Sequence, residues 1–256
     1  MSPLIATVSS TTESRETRAL ATELKFLVTP AVAREIRAWG RTELAADPHG
    51  AGPHADEYLT TSLYFDTDAL DVFHRRGSFG RAKYRVRRYG QNAMVFLERK
   101  LRTSSLLAKR RTVIALDDLA VLQDPEIVPG WAGAWFQDRL RVRRLQPLVQ
   151  VSYRRTARVM DGAYGTVRLT VDEQLSTLPA LDFEFRADSG RPVLADRAIV
   201  EIKFRKSLPA KFKALIETHR LVPARLSKYR LAQDAMQPRT LHTPVRLDAD
   251  CALVYA

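Results

Sequence analysis

The stretch Phe79–Arg102, FGRAKYRVRRYGQNAMVFLERKLR, decides how the chain is read. Gly90-Gln91-Asn92 supplies the turn chemistry that Gly and Asn permit, which predicts two strands joined as a hairpin. In the first strand Arg81, Lys83, Arg85 and Arg87 fall at every second position and so share one face. In the second, Glu98, Lys100 and Arg102 share a face while Val95, Leu97 and Leu101 take the other; Arg99 breaks the pattern. One sheet surface therefore carries dense positive charge around a single carboxylate. It is either bathed in water or lines a place where polyanions sit.

The whole chain leans the same way. It has 256 residues, 41 basic against 29 acidic, and a net charge of +12, which favours anionic partners without choosing among nucleic acid, lipid and phosphorylated metabolite. An apolar fraction of 45% is enough for a sizeable core. The single Cys251 excludes a disulfide framework or thiolate metal site within one chain. No apolar run reaches the roughly 18 residues of a membrane span, and the N-terminus lacks the pattern of a secretory signal, so the expected location is cytoplasmic.

Outward from the hairpin, residues 1–17 are expected to be a disordered lead-in, 18–238 a single domain and 239–256 an irregular tail. Strands are predicted at Glu23–Val28, Leu59–Asp66, Ser105–Ala115, Leu148–Ala157, Val167–Leu175 and Ile199–Phe204, with a short one at Phe183–Arg186. Helices are predicted from Pro30, over Asp68–Arg76, Asp117–Leu122, Gly130–Arg144, Ala210–His219 and Leu226–Met236. Leaving the short one aside, eight strands, several in hairpin order, imply an α+β fold: an eight-stranded antiparallel β-barrel decorated by helices.

Glu-x-Lys recurs on three of these strands, as Glu23-Leu24-Lys25, Glu98-Arg99-Lys100 and Glu201-Ile202-Lys203. A wet sheet face explains one such pair. It does not explain a charged face on six strands dominated by Arg and Lys, which would repel itself if left empty. Closed inward, that face makes a cationic tunnel for a polyanion, with carboxylates left for a divalent metal. The five histidines show no ligand spacing, no GxxxxGK[ST] loop exists, and no nucleophile–base arrangement is legible. Gly77-Ser78-Phe79-Gly80 lacks the helix–loop–helix setting of a KH loop and reads as a turn.

The segments ELKFLV, SLYFDT, YRVRRYG, VFLERK, the KRR strand, VSYRRTAR, VRLTVDEQL, VEIKF and RLSKYRLA, over about Glu23–Leu231, resemble in order the polyphosphate-polymerase (VTC) domain. That family is a branch of the triphosphate tunnel metalloenzymes, which include the CYTH proteins. The resemblance implies a tunnel of inward basic residues. Lys25, Arg85, Arg87, Lys100, Arg155, Arg168 and Lys203 would do the catalytic work on the phosphates. Lys83, Lys109, Arg111, Tyr153, Ser227 and Lys228 would bind phosphate or nucleotide. Glu201 would hold Mn²⁺ or Mg²⁺, with Glu23 and Glu98 helping through water or by orienting lysines. The CYTH motif ExExK would need Glu at position 21, where this chain has Ala21, and Arg225 replaces a Lys that is common before the Ser-Lys pair.

What the resemblance implies for activity is ATP-driven synthesis of inorganic polyphosphate, with the phosphate chain itself as nucleophile. A triphosphate or polyphosphate hydrolase of the same fold and a non-catalytic polyphosphate or nucleotide sensor are the alternatives. No specific nucleic-acid partner is expected, and the sequence leaves oligomeric state open.

Overall fold

A computed structural model describes residues 15–18, 22–102, 107–162 and 165–237. Residues 1–14 of the expected lead-in, the tail from 238 onward with Cys251, and Ala21 lie outside the described residues.

In chain order the strands are β1 (Arg15–Arg18), β2 (Thr22–Val28), β3 (Ala45–Ala46), β4 (Glu57–Asp66), β5 (Ala82–Tyr89), β6 (Met94–Arg102), β7 (Leu107–Ala115), β8 (Gln146–Met160), β9 (Val167–Pro179), β10 (Arg191–Pro192) and β11 (Ala198–Phe204). The helices are α1 (Pro30–Glu43), α2 (Asp71–His74), α3 (Ala134–Val142), α4 (Ala210–Thr218) and α5 (Lys228–Met236). All strands join one antiparallel sheet ordered β1-β7-β6-β5-β4-β8-β9-β11-β2, with β10 on β9 and β3 on β8.

The expected eight-stranded barrel is therefore corrected to an eleven-stranded sheet that is not closed by pairing of its edge strands among the described residues. Its two edges, β1 and β2, are consecutive in the chain, so Arg18 and Thr22 are no more than about 15 Å apart whatever the path between them. Side chains link the strands near these edges: Lys100 of β6 reaches Glu23 of β2 at 3.2 Å. The sheet thus curls around an interior, with no backbone pairing between its two edges among the described residues.

Alternation sorts the residues. Outward, Phe26, Val28, Leu169, Val171, Val200 and Ile202 pack under α1 and α4, with Trp39 edge-on to Phe212 at 5.4 Å. Thr29 caps α1 and Pro30 opens it, as a fixed φ at a helix start allows. Gly40 lets α1 sit close, since a Cβ there would lie 3.2 Å from Leu169. On the other flank Leu63, Phe65, Val86, Leu97 and Ile114 are covered by Phe136 and Leu140 of α3 and by Leu119 and Leu122 of a 3-10 turn.

One bulge shapes the interior. Ser152 faces Ser176 and Arg154 faces Glu173, so β9 carries one extra residue there, and Gln174 adopts φ +53°. The extra residue brings Arg168, Thr170 and Asp172, and then Leu175 and Thr177, to the same inner face. At the apolar end Tyr64, Val149, Val151, Leu175 and Ile199 form one cluster with Tyr229 and Ala232 of α5. α5 thus fills that end.

Three sequence expectations change. Arg81 ends a 3-10 turn, Gly77–Arg81, and is exposed, so the basic alternation on β5 starts at Lys83. Phe183–Arg186 is not a strand; the Gln150 side chain instead makes both hydrogen bonds to the Arg186 backbone, at 2.8 and 2.9 Å. Residues 15–17 of the expected lead-in are strand, paired with β7. Among the described residues no helix is long and apolar enough to cross a membrane.

Candidate active site

The register places Lys25, Lys83, Arg85, Arg87, Lys100, Lys109, Arg111, Arg155, Arg168 and Lys203 on the inner face, and Lys228 enters from α5. Among the described side chains these eleven cations stand against four inward carboxylates, Glu23, Glu98, Asp172 and Glu201. Every basic residue assigned to the site from the sequence is thus gathered in one space.

The carboxylates organise the cations into two clusters. Glu98, 2% exposed, meets Arg85 at 2.6 Å, Lys109 at 2.9 Å and Arg111 at 3.3 Å. Burial pushes its carboxyl up, but Arg85, Lys109, Arg87 and Arg111 outweigh burial and hold it well below the usual carboxylate range. In the second cluster Lys228 lies 2.6 Å from both Asp172 and Glu201. Asp172 also accepts two bonds from Arg155, at 2.6 and 2.7 Å. Glu201 reaches Lys25 at 3.4 Å, and Lys25 meets Glu23 at 2.9 Å. Burial acts against ionisation of Glu201, yet Lys228, Lys25 and Arg155 keep it charged with a strongly lowered pKa. For Glu23 burial is again outweighed, by Lys25 and Lys100, and the pKa falls to about 2.

Other side chains complete the lining. Arg87, 5% exposed, donates to Ser62 at 3.0 Å and lies 5.9 Å from the Tyr89 ring. Arg168 donates to Asp47 at 2.8 Å and to the Tyr58 hydroxyl at 2.6 Å. Arg111 sits over Phe96 at 3.6 Å. The Tyr153 ring lies 5.3 Å from Arg155 and 5.0 Å from Lys228, while its hydroxyl, like those of Thr60 and Thr170, is buried without a hydrogen-bond partner. These three face inward and offer O–H donors to a phosphate oxygen.

α5 is positioned from outside the charged space. Buried Asp66 accepts the backbone N–H groups of Thr67, Val72 and Phe73, each at 2.8 Å, and also the Tyr229 hydroxyl. Tyr229 stacks on Tyr64 at 5.4 Å, and Arg230 donates to the Phe73 carbonyl at 3.1 Å. Ser227 caps the helix, and Lys228 is its first residue.

The oxygen donors suit a hard divalent cation of the Mg²⁺ or Mn²⁺ kind. Among the described residues, however, no three His, Cys, Asp or Glu side chains gather into a metal-binding group. Glu201 and Glu23 converge on Lys25, whereas Glu98 is held in the separate cluster. A cation held there would have Glu201 as its protein ligand and would take its remaining ligands from phosphate oxygens, as Mg²⁺ commonly does.

Sequence reasoning assigned no role to Asp172, Asp47, Tyr58, Tyr64 or Asp66. For Asp172 a signal existed, since it alternates with Arg168 and Thr170. The partners of the others are set by strand pairing and by a helix remote in sequence.

The VTC domain family matches residues 20–237. The chain belongs to the VTC domain family. No curated protein matches it. Among solved structures, a candidate adenylate cyclase from Bacillus halodurans shares 14% identity at a TM-score of 0.50, covering 82% of this chain and 95% of that one. The PH1819 protein from Pyrococcus horikoshii shares 12% at 0.47, covering 84% and 98%. A candidate adenylyl cyclase from Hippeastrum, described as having a dominant triphosphatase activity, shares 15% at 0.45, covering 83% and 94%. At these identities the first similarity speaks for the fold of this VTC domain and nothing finer.

Proposed function

We propose that the interior binds a triphosphate and catalyses metal-dependent phosphoryl transfer, with ATP-driven synthesis of inorganic polyphosphate as the reaction. The observation that carries this reading is the inner face itself: among the described residues, eleven cations against four carboxylates, with three buried hydroxyls lacking partners. Such a surface is complementary to a linear polyanion, and phosphoryl transfer gains most from charge stabilisation. Arg85, Arg87 and Arg155 present guanidinium forks to phosphate oxygens. Arg155 is pre-set by Asp172, so little ordering is left to do on binding. Lys25, Lys100, Lys203 and Lys228 add point charges, and Tyr153 an O–H donor. A divalent cation near Glu201 would neutralise charge on the transferred group. The terminal phosphate of the growing chain is the nucleophile, which agrees with the sequence offering no legible nucleophile–base arrangement.

One observation favours a second reading, a triphosphate or polyphosphate hydrolase. α5 fills one end of the interior with Tyr229 and Ala232, and a blind end gives a long product less room than water. Incubation with ATP and Mn²⁺, with products resolved by length on a gel, decides between them. A ladder of long chains with matching ADP is expected; free phosphate or tripolyphosphate without a ladder would replace synthesis by hydrolysis. Glu201→Gln should abolish turnover while sparing tripolyphosphate binding, and unchanged turnover would remove Glu201 from the mechanism.

A further inference from the structure

Three arginines of the inner face share one pattern of bonding. Arg85 turns Nε and Nη2 toward Glu98, both at 2.6 Å, and Arg155 turns the same two nitrogens toward Asp172. In both cases the carboxylate stands on a strand of the sheet. Arg168 is held through the same two atoms by other means. Its Nε donates to Asp47 Oδ2 at 2.8 Å and its Nη2 to the Tyr58 hydroxyl at 2.6 Å, and Asp47 belongs to the loop between β3 and β4. Nη1 of Arg168 makes no hydrogen bond among the described residues.

That loop is fixed to the sheet at both ends. The Asp47 N–H donates to the Ala157 carbonyl at 3.1 Å, and the Ala157 N–H donates to the Asp56 carbonyl at 2.8 Å. The buried Asp56 side chain accepts from Arg41 at 3.0 Å and from Arg158 at 2.9 Å. Within the loop Asp47 Oδ1 accepts the His49 N–H at 3.0 Å, so its two oxygens serve different donors. Only glycine fits at position 50, where a Cβ would run into the Ala55 carbonyl oxygen. Asp47 is therefore a buried, fixed acceptor for an arginine whose side chain is 34% exposed.

Arg168 stands at the end of the inner face away from α5: Thr170, Asp172 and Leu175 follow it on β9, and Leu175 lies in the cluster with Tyr229. An arginine this open to water has many rotamers, and ordering them on binding costs free energy. A fixed partner meets that cost in advance.

We propose that Asp47 is a positioning residue: with Tyr58 it holds the Arg168 guanidinium ready for the phosphate of a linear polyanion that lies farthest from α5. The inference rests on the reading of the interior as a phosphate site and adds to it a carboxylate from outside the strands. Charge alone predicts the opposite effect. Asp47 is an anion close to an anion's site, so removing its charge would tighten polyanion binding, whereas losing a positioned arginine weakens it.

The test is calorimetric titration of the full chain with tripolyphosphate in excess Mg²⁺, for the wild type, Asp47→Asn, Arg168→Gln and the double variant, each shown to be folded by a thermal melt. Asparagine cannot accept from both His49 and Arg168, because its amide nitrogen must face one of these donors. Asp47→Asn is expected to bind about fivefold more weakly, and Arg168→Gln about tenfold or more, the scale of one charge-assisted hydrogen bond. In the Arg168→Gln background the change at Asp47 should cost nothing further, a coupling that a merely structural role would not produce. Tyr58→Phe keeps the ring beside Tyr89 and should also weaken binding only when Arg168 is present; it carries the test if Asp47→Asn does not fold. Unchanged or tighter binding in Asp47→Asn, or an equal loss in the Arg168→Gln background, would overturn the proposal, as would full affinity in Arg168→Gln. Failure of the wild type to bind tripolyphosphate at all would instead overturn the reading of the interior.

Discussion

Asp172→Asn tests whether the interior cations are held in place by carboxylates. Asp172 is 2% exposed and anchors both Arg155, at 2.6 and 2.7 Å, and Lys228, at 2.6 Å. Asparagine keeps the shape and one acceptor but removes the charge, leaving two buried cations short of an anion. Breaking a buried pair from one side costs about 3–5 kcal/mol. Glu201 lies 2.6 Å from Lys228 and 3.9 Å from Arg155 and recovers part of this. A loss of about 3 kcal/mol corresponds to a fall of roughly 6 °C in melting temperature for a chain of this size. The pH dependence has a definite sign. Burial raises the Asp172 pKa, Arg155 and Lys228 outweigh burial, and the net shift is downward. Its contribution is therefore complete above the unfolded carboxyl value of about 4 and is lost as pH falls through the lower folded value. Thermal melts followed by circular dichroism from neutral to acidic pH should show a constant gap between wild type and variant that narrows below about pH 4. Tripolyphosphate should also narrow it, by supplying negative charge to the same cations. An unchanged melting temperature at neutral pH, or a gap that widens in acid, would refute the reasoning.

Glu23, with its pKa lowered to about 2, contributes stability that is complete above the ordinary glutamate value and lost as pH falls toward 2. Acid unfolding of Glu23→Gln should therefore be flatter than that of the wild type over this window, and a steeper profile would count against the Lys25–Glu23–Lys100 bridge. Tyr229→Phe removes one donor from Asp66, which keeps three backbone N–H groups, so urea unfolding should show a loss of about 1–2 kcal/mol. No measurable loss would mean that this hydroxyl does not hold α5.

The alternation Lys83-x-Arg85-x-Arg87 and the turn at Gly90 made the central hairpin legible, because a strand's two faces are written at period two. The same logic located Arg168 and Glu201 on their strands. Closure was not legible, since alternation says which face is charged and nothing about whether the last strand pairs with the first. The bulge at Gln174 is equally silent: a one-residue slip in β9 changes inward-facing parity between Asp172 and Leu175 without any Gly or Pro to mark it. Phe183–Arg186 has strand-like residues, but one amide side chain, Gln150, satisfies the backbone that a neighbouring strand would otherwise pair. The site's basic residues could be read because their type and spacing match a known family. Asp66, in contrast, works through a tyrosine 163 positions away, a separation no local pattern spans.

The anchoring of α5 has a mechanical consequence. Four successive residues, Ser227 to Arg230, each engage a different neighbour: Lys83, the Asp172–Glu201 pair, Asp66 and the Phe73 carbonyl. Successive helical residues are about 100° apart around the axis, so together these contacts span nearly a full turn. A helix held on all sides at the same height can neither roll nor slip by one residue without losing several contacts at once. The Lys228 ammonium is thereby placed with the accuracy of a keyed shaft, even though lysine has one of the most flexible side chains in proteins.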